Sequence, residues 1–350
     1  MTNPAGSKTN TGNFFEDFTI GQTIIHATPR TVSSGDQALY TALYGARFAV
    51  QSATSFARSI GYPQSPVDDM LVFHIVFGKT VADISLNAVA NLGYADCRFL
   101  KPVYPGDTLS TVSQVIGLKQ NSNGKTGVVY VRSTGSNQKG QTVLEYTRWV
   151  MVKKRNTDSP ACKTHLPDLP ESVDANELGD ACPIIESDVF NTTLSGSPHR
   201  FDDYRIGEKI DHVDGMTVEE SDHMLATRLF QNTAKVHFNQ HAQGQSPLGR
   251  RLIYGGHVIS LARALSFNGL GNAFHVAAIN GGRHIAPLFA GDTVYAWSQI
   301  TDKKTIAGRT DIGALRINTI ATKDHACNDF ADSKHNAAIL ELDYWVIMPK

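Results

Sequence analysis

The stretch FEDFTIGQTIIH at residues 15–26 returns as FDDYRIGEKIDH at residues 201–212, displaced by 186 positions. KPVYPGDTL at 101–109 returns as APLFAGDTV at 286–294, displaced by 185. Each copy then closes on a β-rich stretch, EYTRWVMVKK at 145–154 and ELDYWVIMPK at 341–350. Three anchors in one order, at nearly one displacement, make the chain a tandem duplication. The last displacement grows to 196, which places an insertion in the second copy within TKDHACNDFADSKHN. The units are residues 15–154 and 199–350. A Pro-, Asp- and Ser-rich stretch at 155–198 reads as their linker, and the polar residues 1–14 read as a disordered tail.

At 350 residues the chain is long enough for two domains, each with its own core. Apolar residues make up 41% and charged residues 19%, the balance of a soluble globular protein. Lys and Arg number 32 against 33 Asp and Glu, so no polyanionic partner such as nucleic acid is expected. Cys97, Cys162, Cys182 and Cys327 lack the spacing of a metal or disulfide framework and read as reduced thiols, which fits the cytoplasm. The longest apolar run, MLVFHIVF at 70–77, is too short to cross a membrane, and the N-terminus lacks the apolar core of a secretory signal.

Both units share a coarse order. An opening strand leads to a short amphipathic helix, then to a longer apolar helix, and a run of strands completes the unit. The longer helix is expected over LVFHIVFGKTVADISLNAVA (71–90) in the first copy and HVISLARALSFNG (257–269) in the second. Leu261, Ala262, Leu265 and Leu270 recur near helical spacing and predict burial along one stripe. The strands TGVVYVRSTG and TVLEYTRWVMV alternate, and NSNGK reads as a hairpin turn. The result is an α+β unit in which an antiparallel sheet wraps a long central helix. Two such sheets can pair edge to edge, and a tandem chain builds that dimer within itself.

In this order of elements, and above all in PVYPGDTL and PLFAGDTV, both halves resemble the MaoC-like hotdog hydratases, the (R)-specific enoyl-CoA hydratases. The length of the pair and the stretch LFQNTAKVHFNQH at 229–241 look more narrowly like the mesaconyl-CoA hydratases, also called β-methylmalyl-CoA dehydratases. The resemblance implies a tandem double hotdog. It also implies reversible addition of water to an enoyl-CoA thioester, with 2-methylfumaryl-CoA (mesaconyl-CoA) and β-methylmalyl-CoA as the pair. No cofactor is implied, because CoA is part of the substrate.

Hydration needs a base for the attacking water, donors for the enolate oxygen, and a proton for the α-carbon. His237 suits the first and third tasks, since an ordinary imidazole titrates at about 6.5. Alone it would read as a polar residue satisfied at a helix start; its place in the repeat gives it the catalytic reading. The family motif has Asp five residues before this His and Asn three before, where this chain has Asn232 and Ala234. Either Asn232 positions the water for His237, the preferred reading, or a carboxylate on the preceding helix, Asp222 or Glu220, completes the pair. Tyr254-Gly255-Gly256 precedes the second long helix, so the backbone N–H groups of Gly255 and Gly256 are candidate donors to the enolate oxygen. A substrate carboxylate wants an Arg fork; Arg251 comes first, then Arg283 and Arg228, the last two also fitting CoA phosphates or surface charge, with Arg47 in the other copy. His237 and His241 have a zinc-like spacing but no third ligand, so no metal is expected.

In the first copy Ala46 and Gln51 stand where the second has Asn232 and His237. Aligning SPVDDMLVFHIV (65–76) with SPLGRRLIYGGH (246–257) sets His74 and Ile75 opposite Gly255 and Gly256. The first unit therefore reads as a retired site kept for structure, and the second as the catalytic copy. Two other functions remain open, a hotdog acyl-CoA thioesterase and a non-catalytic binder of CoA thioesters. A homodimer is also open.

Overall fold

A computed structural model describes residues 8–186 and 189–350. Residues 1–7 of the expected tail lie outside these. Thr11 and Asn13 accept hydrogen bonds from Asn87 Nδ2 at 3.0 and 3.2 Å, so the rest of the stretch is docked on the first unit.

Eleven strands form one antiparallel sheet. The first unit supplies β1 (Thr23–Thr31), β2 (Ala88–Phe99), β3 (Thr108–Gln120), β4 (Thr126–Ser136) and β5 (Thr142–Lys153). The second supplies β6 (Lys209–Asp211), β7 (Met216–Thr217), β8 (His275–His284), β9 (Thr293–Thr305), β10 (Ile312–Lys323) and β11 (Ala338–Pro349). The order is β1-β3-β4-β5-β2-β8-β11-β10-β9-β6, with β7 also on β9. The two halves meet where β2 pairs with its counterpart β8, Tyr94 opposite Gly282 and Cys97 opposite Ile279. The edge-to-edge pairing expected of a tandem chain is thus realised, and the double hotdog with it.

The repeated anchors recur for backbone reasons. In PVYPGDTL and PLFAGDTV, Gly106 and Gly291 have φ of 102° and 95°, a region that L side chains rarely adopt. The Asp that follows each accepts a backbone N–H, Asp107 from Tyr104 at 2.8 Å and Asp292 from Phe289 at 2.9 Å. NSNGK is the β3–β4 turn, with Gly124 at φ 64°. The insertion is the β10–β11 connection, which folds onto Trp297: its Nε1 donates to the Ala331 carbonyl at 2.9 Å.

Four helices matter for the site: α1 (Ser34–Tyr44), α2 (Asp69–Thr80), α3 (Glu220–Leu229) and α4 (Gly255–Leu265). Helix α1 starts on a reciprocal cap, in which Ser33 Oγ accepts from Asp36 N–H and Asp36 from Ser33 N–H. The helix expected over 71–90 is shorter. It passes through a π turn (Val81–Ser85), and Ala88–Phe99 is strand, because pairing with β5 and β8 claims that backbone. Helix α4 is buried all round from Gly256 to Leu265 rather than along one stripe. The sheet covers one side, and α2 of the other unit crosses the other, where His74 Nε2 bonds Ser260 Oγ at 2.8 Å.

Residues 155–198, read as a linker, are strapped down. Val173, Leu178, Cys182, Ile185 and Phe190 are buried with Phe56, Phe274 and Trp345, a core separate from that around α2 and α4. All four cysteines are free, and among the described residues no helix is long and apolar enough to cross a membrane.

The two units touch most closely where a Cβ on Gly78 of α2 would lie 1.8 Å from the Phe230 carbonyl oxygen. Gly78→Ala should cost about 1–3 kcal/mol, as overpacking of a close contact does. The expected reading is a thermal midpoint lowered by several degrees; an unchanged midpoint would mean that α2 and this loop do not meet.

Candidate active site

Helix α3 ends at Phe230, and Gln231 then turns the chain with φ of 54°. Its counterpart Gly45 ends α1 with φ of 61°, so the turn is kept although the second copy makes it with a strained non-glycine residue. Asn232, 5% exposed, follows; its N–H donates to Thr227 and its Oδ1 accepts the Ala234 N–H at 3.1 Å. That bond makes an Asx turn just ahead of a single, uncapped turn of helix, Lys235–Phe238, which carries His237. Among the described residues no hydrogen bond joins Asn232 to His237.

His237 is anchored to the segment leading into α4. Leu252 N–H donates to the Val236 carbonyl at 3.0 Å, and His237 Nδ1 lies 2.9 Å from the Leu252 carbonyl. A carbonyl only accepts, so Nδ1 carries the proton and Nε2 keeps its lone pair. The ring is half-buried beside Tyr254, centroids 5.4 Å apart. Burial pulls its pKa down to about 4, the hydrogen bond to Leu252 opposing in part. At neutral pH it is an uncharged base.

Three residues beyond Leu252, α4 begins at Gly255 with no side-chain cap. The Tyr254 N–H is taken by His223 Nε2 at 2.9 Å. The N–H groups of Gly255 and Gly256 donate to no described residue, at the positive end of an eleven-residue helix. Both glycines are required by contact. A Cβ on Gly255 would fall 2.3 Å from His284 Nε2, and one on Gly256 would fall 2.4 Å from the Tyr254 ring.

His284, at the end of β8, was not among the residues expected from sequence. Its Nε2 is buried without a partner, and burial, then the charge of His237, lower its pKa to about 4. The comparison of copies that singled out His237 contained this signal too, since Phe99 holds the equivalent place ahead of PVYPGDTL.

The corresponding place in the first unit is filled by that unit's own side chains. Gln51 Nε2 donates to the Phe274 carbonyl at 2.7 Å. The residues opposite Gly255 and Gly256 are Asp69 and Met70, not His74 and Ile75. Both helices start 186 positions apart, and equivalent bonds precede them, Val67 N–H to Val103 and Ile253 N–H to Leu288. Matching the two Ser-Pro pairs slips the register by five residues. Asp68 Oδ1 accepts the Met70 N–H at 2.9 Å, and Asp69 accepts from Val276 N–H and His275. The N–H left open at Gly256 is thus capped by a carboxylate, that of Asp68, at the corresponding Met70 of the first unit.

The arginines expected near the substrate differ in their surroundings, and Arg251 keeps a buried Nε without a partner. Arg251 pairs with Glu220, Arg283 with Glu341 at 2.7 Å, and Arg228 is exposed with Nε on the Met224 carbonyl. The pairing also removes Glu220 as a carboxylate for His237, and Asp222 accepts from Ser221 at 3.2 Å. His241 is exposed, and among the described residues no cluster of metal-ligating side chains forms. A cavity of about 470 Å³ opens by Arg47, Phe267 and Asn268, beyond the far end of α4, and none of the site residues line it.

The fused pair, with the neutral His237 imidazole and an uncapped helix N-terminus in one half, has the architecture of a MaoC-like double hotdog. The sequence model of the mesaconyl-CoA hydratases matches residues 5–339, and the chain belongs to that family. It is 61% identical to a β-methylmalyl-CoA dehydratase of Chloroflexus aurantiacus, over 98% of this chain and 99% of that one. It is 58% identical to a mesaconyl-CoA hydratase of Cereibacter sphaeroides, over 98% and 100%. A crystal structure of a MaoC domain protein from C. aurantiacus superposes with a TM-score of 0.96 at 60% identity, covering 99% of each chain. A Mycobacterium tuberculosis protein with a double hotdog fold superposes at 0.73 with 25% identity, covering 97% and 99%.

The tautomer and charge of His237 can be read directly. Long-range ¹⁵N NMR should find Nδ1 protonated at pH 7, with the ring gaining its second proton only as pH falls through about 4. A midpoint at the ordinary 6.5 would contradict the burial described here.

Proposed function

We propose that the protein catalyses the reversible hydration of 2-methylfumaryl-CoA (mesaconyl-CoA, thioester on carbon one) to β-methylmalyl-CoA. The observation that carries this is the pairing of His237, its Nε2 lone pair free, with the unpaired N–H groups of Gly255 and Gly256 three residues past its anchor Leu252. The names and high identity of the relatives support the substrate.

In the forward direction His237 Nε2 takes a proton from water as the oxygen bonds to the β-carbon. The π electrons move toward the thioester, and the carbonyl oxygen becomes an enolate oxygen held by the Gly255 and Gly256 N–H groups. The imidazolium then returns its proton to the α-carbon as the enolate collapses, so H and OH add across the double bond. Asn232 helps by position. Its Oδ1 is spent on the Ala234 N–H, which leaves Nδ2 as the end that holds the water oxygen. A thioesterase would need a carboxylate to drive water onto the carbonyl carbon, and Glu220 and Asp222 are bound to Arg251 and Ser221. CoA enters only as part of the substrate, and His237, Asn232 and the glycines need no cofactor for these steps.

The test is loss of enoyl-thioester absorbance in a single turnover. Wild type should consume mesaconyl-CoA, and His237→Ala should be slower by about 10²–10⁴-fold, the usual scale of acid–base catalysis. Hydration should hold its rate from neutral pH downward and fail only as pH drops through about 4, where His237 becomes protonated. An unimpaired His237→Ala removes the proposed base; release of free CoA without loss of the double bond would favour the thioesterase.

A further inference from the structure

Arg148, on β5 of the first unit, is 0% exposed and forms no ion pair among the described residues. Its guanidinium lies over the Phe77 ring at 4.2 Å; Nη2 donates to Thr80 Oγ1 at 2.7 Å, and Nε has no partner. The groups acting on its charge are the phenols of Tyr146, Tyr94 and Tyr254. A buried cation without a carboxylate is costly, and it calls for a counter-charge from somewhere.

The other unit indicates where that counter-charge belongs. Counting along the repeat, Arg263 of α4 occupies the position of Phe77, and Tyr344 of β11 that of Arg148. The second unit's buried arginine is therefore on the helix, with its guanidinium over Phe48 of the first unit at 3.6 Å. Arg263 is also buried; burial lowers its pKa, and the Tyr344 phenol and then the carboxylates of Asp68, which caps the first unit's helix, and Asp69 oppose this. The live terminus has Tyr254 where Asp68 stands, and its hydroxyl, though buried, has no partner. Tyr254 touches both Phe77, centroids 5.7 Å apart, and His237, at 5.4 Å. The first unit thus has two carboxylates at its helix start, Asp68 and Asp69, where the second has Tyr254 and Gly255 and no carboxylate.

We propose that Arg148, with the Tyr254 hydroxyl, binds the free carboxylate of a dicarboxylic acyl-CoA, so that the first unit sets the substrate specificity of the second. This rests on the hydration site proposed above. In mesaconyl-CoA the carboxylate is attached to the carbon that water attacks, one bond beyond the reach of His237. A guanidinium there accounts for recognition through a paired N–H fork. It also favours attack, because a neutralised carboxylate opposes charge flow toward the thioester less.

The experiment separates binding from catalysis with two saturated, unreactive thioesters, 2-methylsuccinyl-CoA and 2-methylbutyryl-CoA, which carry a carboxylate and a methyl group at the same place. Calorimetry on wild type should find the first bound about 10²-fold or more tightly, as loss of one partner of a buried charge pair implies. Arg148→Met should abolish that preference while binding 2-methylbutyryl-CoA as well as wild type does. Arg148→Lys, which retains the charge and loses the fork, should fall between and serves if the Met variant does not fold. Equal wild-type affinities, or a variant that loses both ligands alike, would overturn the proposal. Should wild type hydrate neither mesaconyl-CoA nor its methyl analogue tiglyl-CoA, the hydration reading fails, while the binding comparison still decides the role of Arg148.

Discussion

The pairing of β2 with β8 is the constraint on which the rest of the molecule depends. Four residues of each strand are matched there, around a local two-fold that sets Tyr94 against Gly282 and Arg98 against Ala278. This joins two curved sheets into one and forces α2 and α4 to cross beneath the seam. The crossing is specified by neutral hydrogen bonds between the units: Tyr40 to Ser260, His74 to Ser260, and Tyr44 to His257. Burial holds the His74 and His257 pKa values down to about 3, so both imidazoles are uncharged at the crossing. Each such bond contributes about 1 kcal/mol net, but its loss would leave a buried polar atom unmatched. The same seam brings Tyr94 to His284, centroids 6.0 Å apart, and Phe77 to Tyr254. His284 and Tyr254 of the second unit are therefore packed against side chains of the first.

Within that frame, the two helix N-termini receive opposite treatment. One is capped by Asp68, whose own pKa is raised to about 6, chiefly by burial, and the other is left uncapped behind Tyr254. An unsatisfied terminus is a local liability that a stable fold ordinarily removes. Its retention at one end of the pair, beside a neutral imidazole, marks where stability gave way to chemistry.

Much of this was legible in the sequence, for identifiable reasons. The Gly-Asp turns recur because positive φ at Gly106 and Gly291 admits few other residues, and the following aspartates cap the same backbone N–H. His237 stood out because the two copies differ there. The register of α2 against α4 did not follow, because a helix buried on every side has no apolar stripe to align, and the Ser-Pro pairs were a false anchor. Arg148 was missed because its partners, Phe77 and Thr80, come from a distant segment. Strand alternation did hold the clue: it lies on the same inward face as Leu144 and Tyr146. Arg251, Arg283 and Arg228 were close in sequence to the motif, and each has found a partner or solvent instead.

Fusion of the halves has a consequence for how such a protein can change. In an assembly of identical subunits every substitution is made twice, once at each symmetry-related place. A guanidinium placed at one site would then also face the other, and an aspartate closing one helix terminus would close both. A single chain escapes this bookkeeping. Asp68 and Tyr254, or Arg148 and Tyr344, occupy corresponding places and have diverged independently. The covalent connection through 155–198 therefore does more than hold two domains together. It lifts symmetry as a restraint on evolution, so that corresponding positions of the two copies can take different residues, as Asp68 and Tyr254 do.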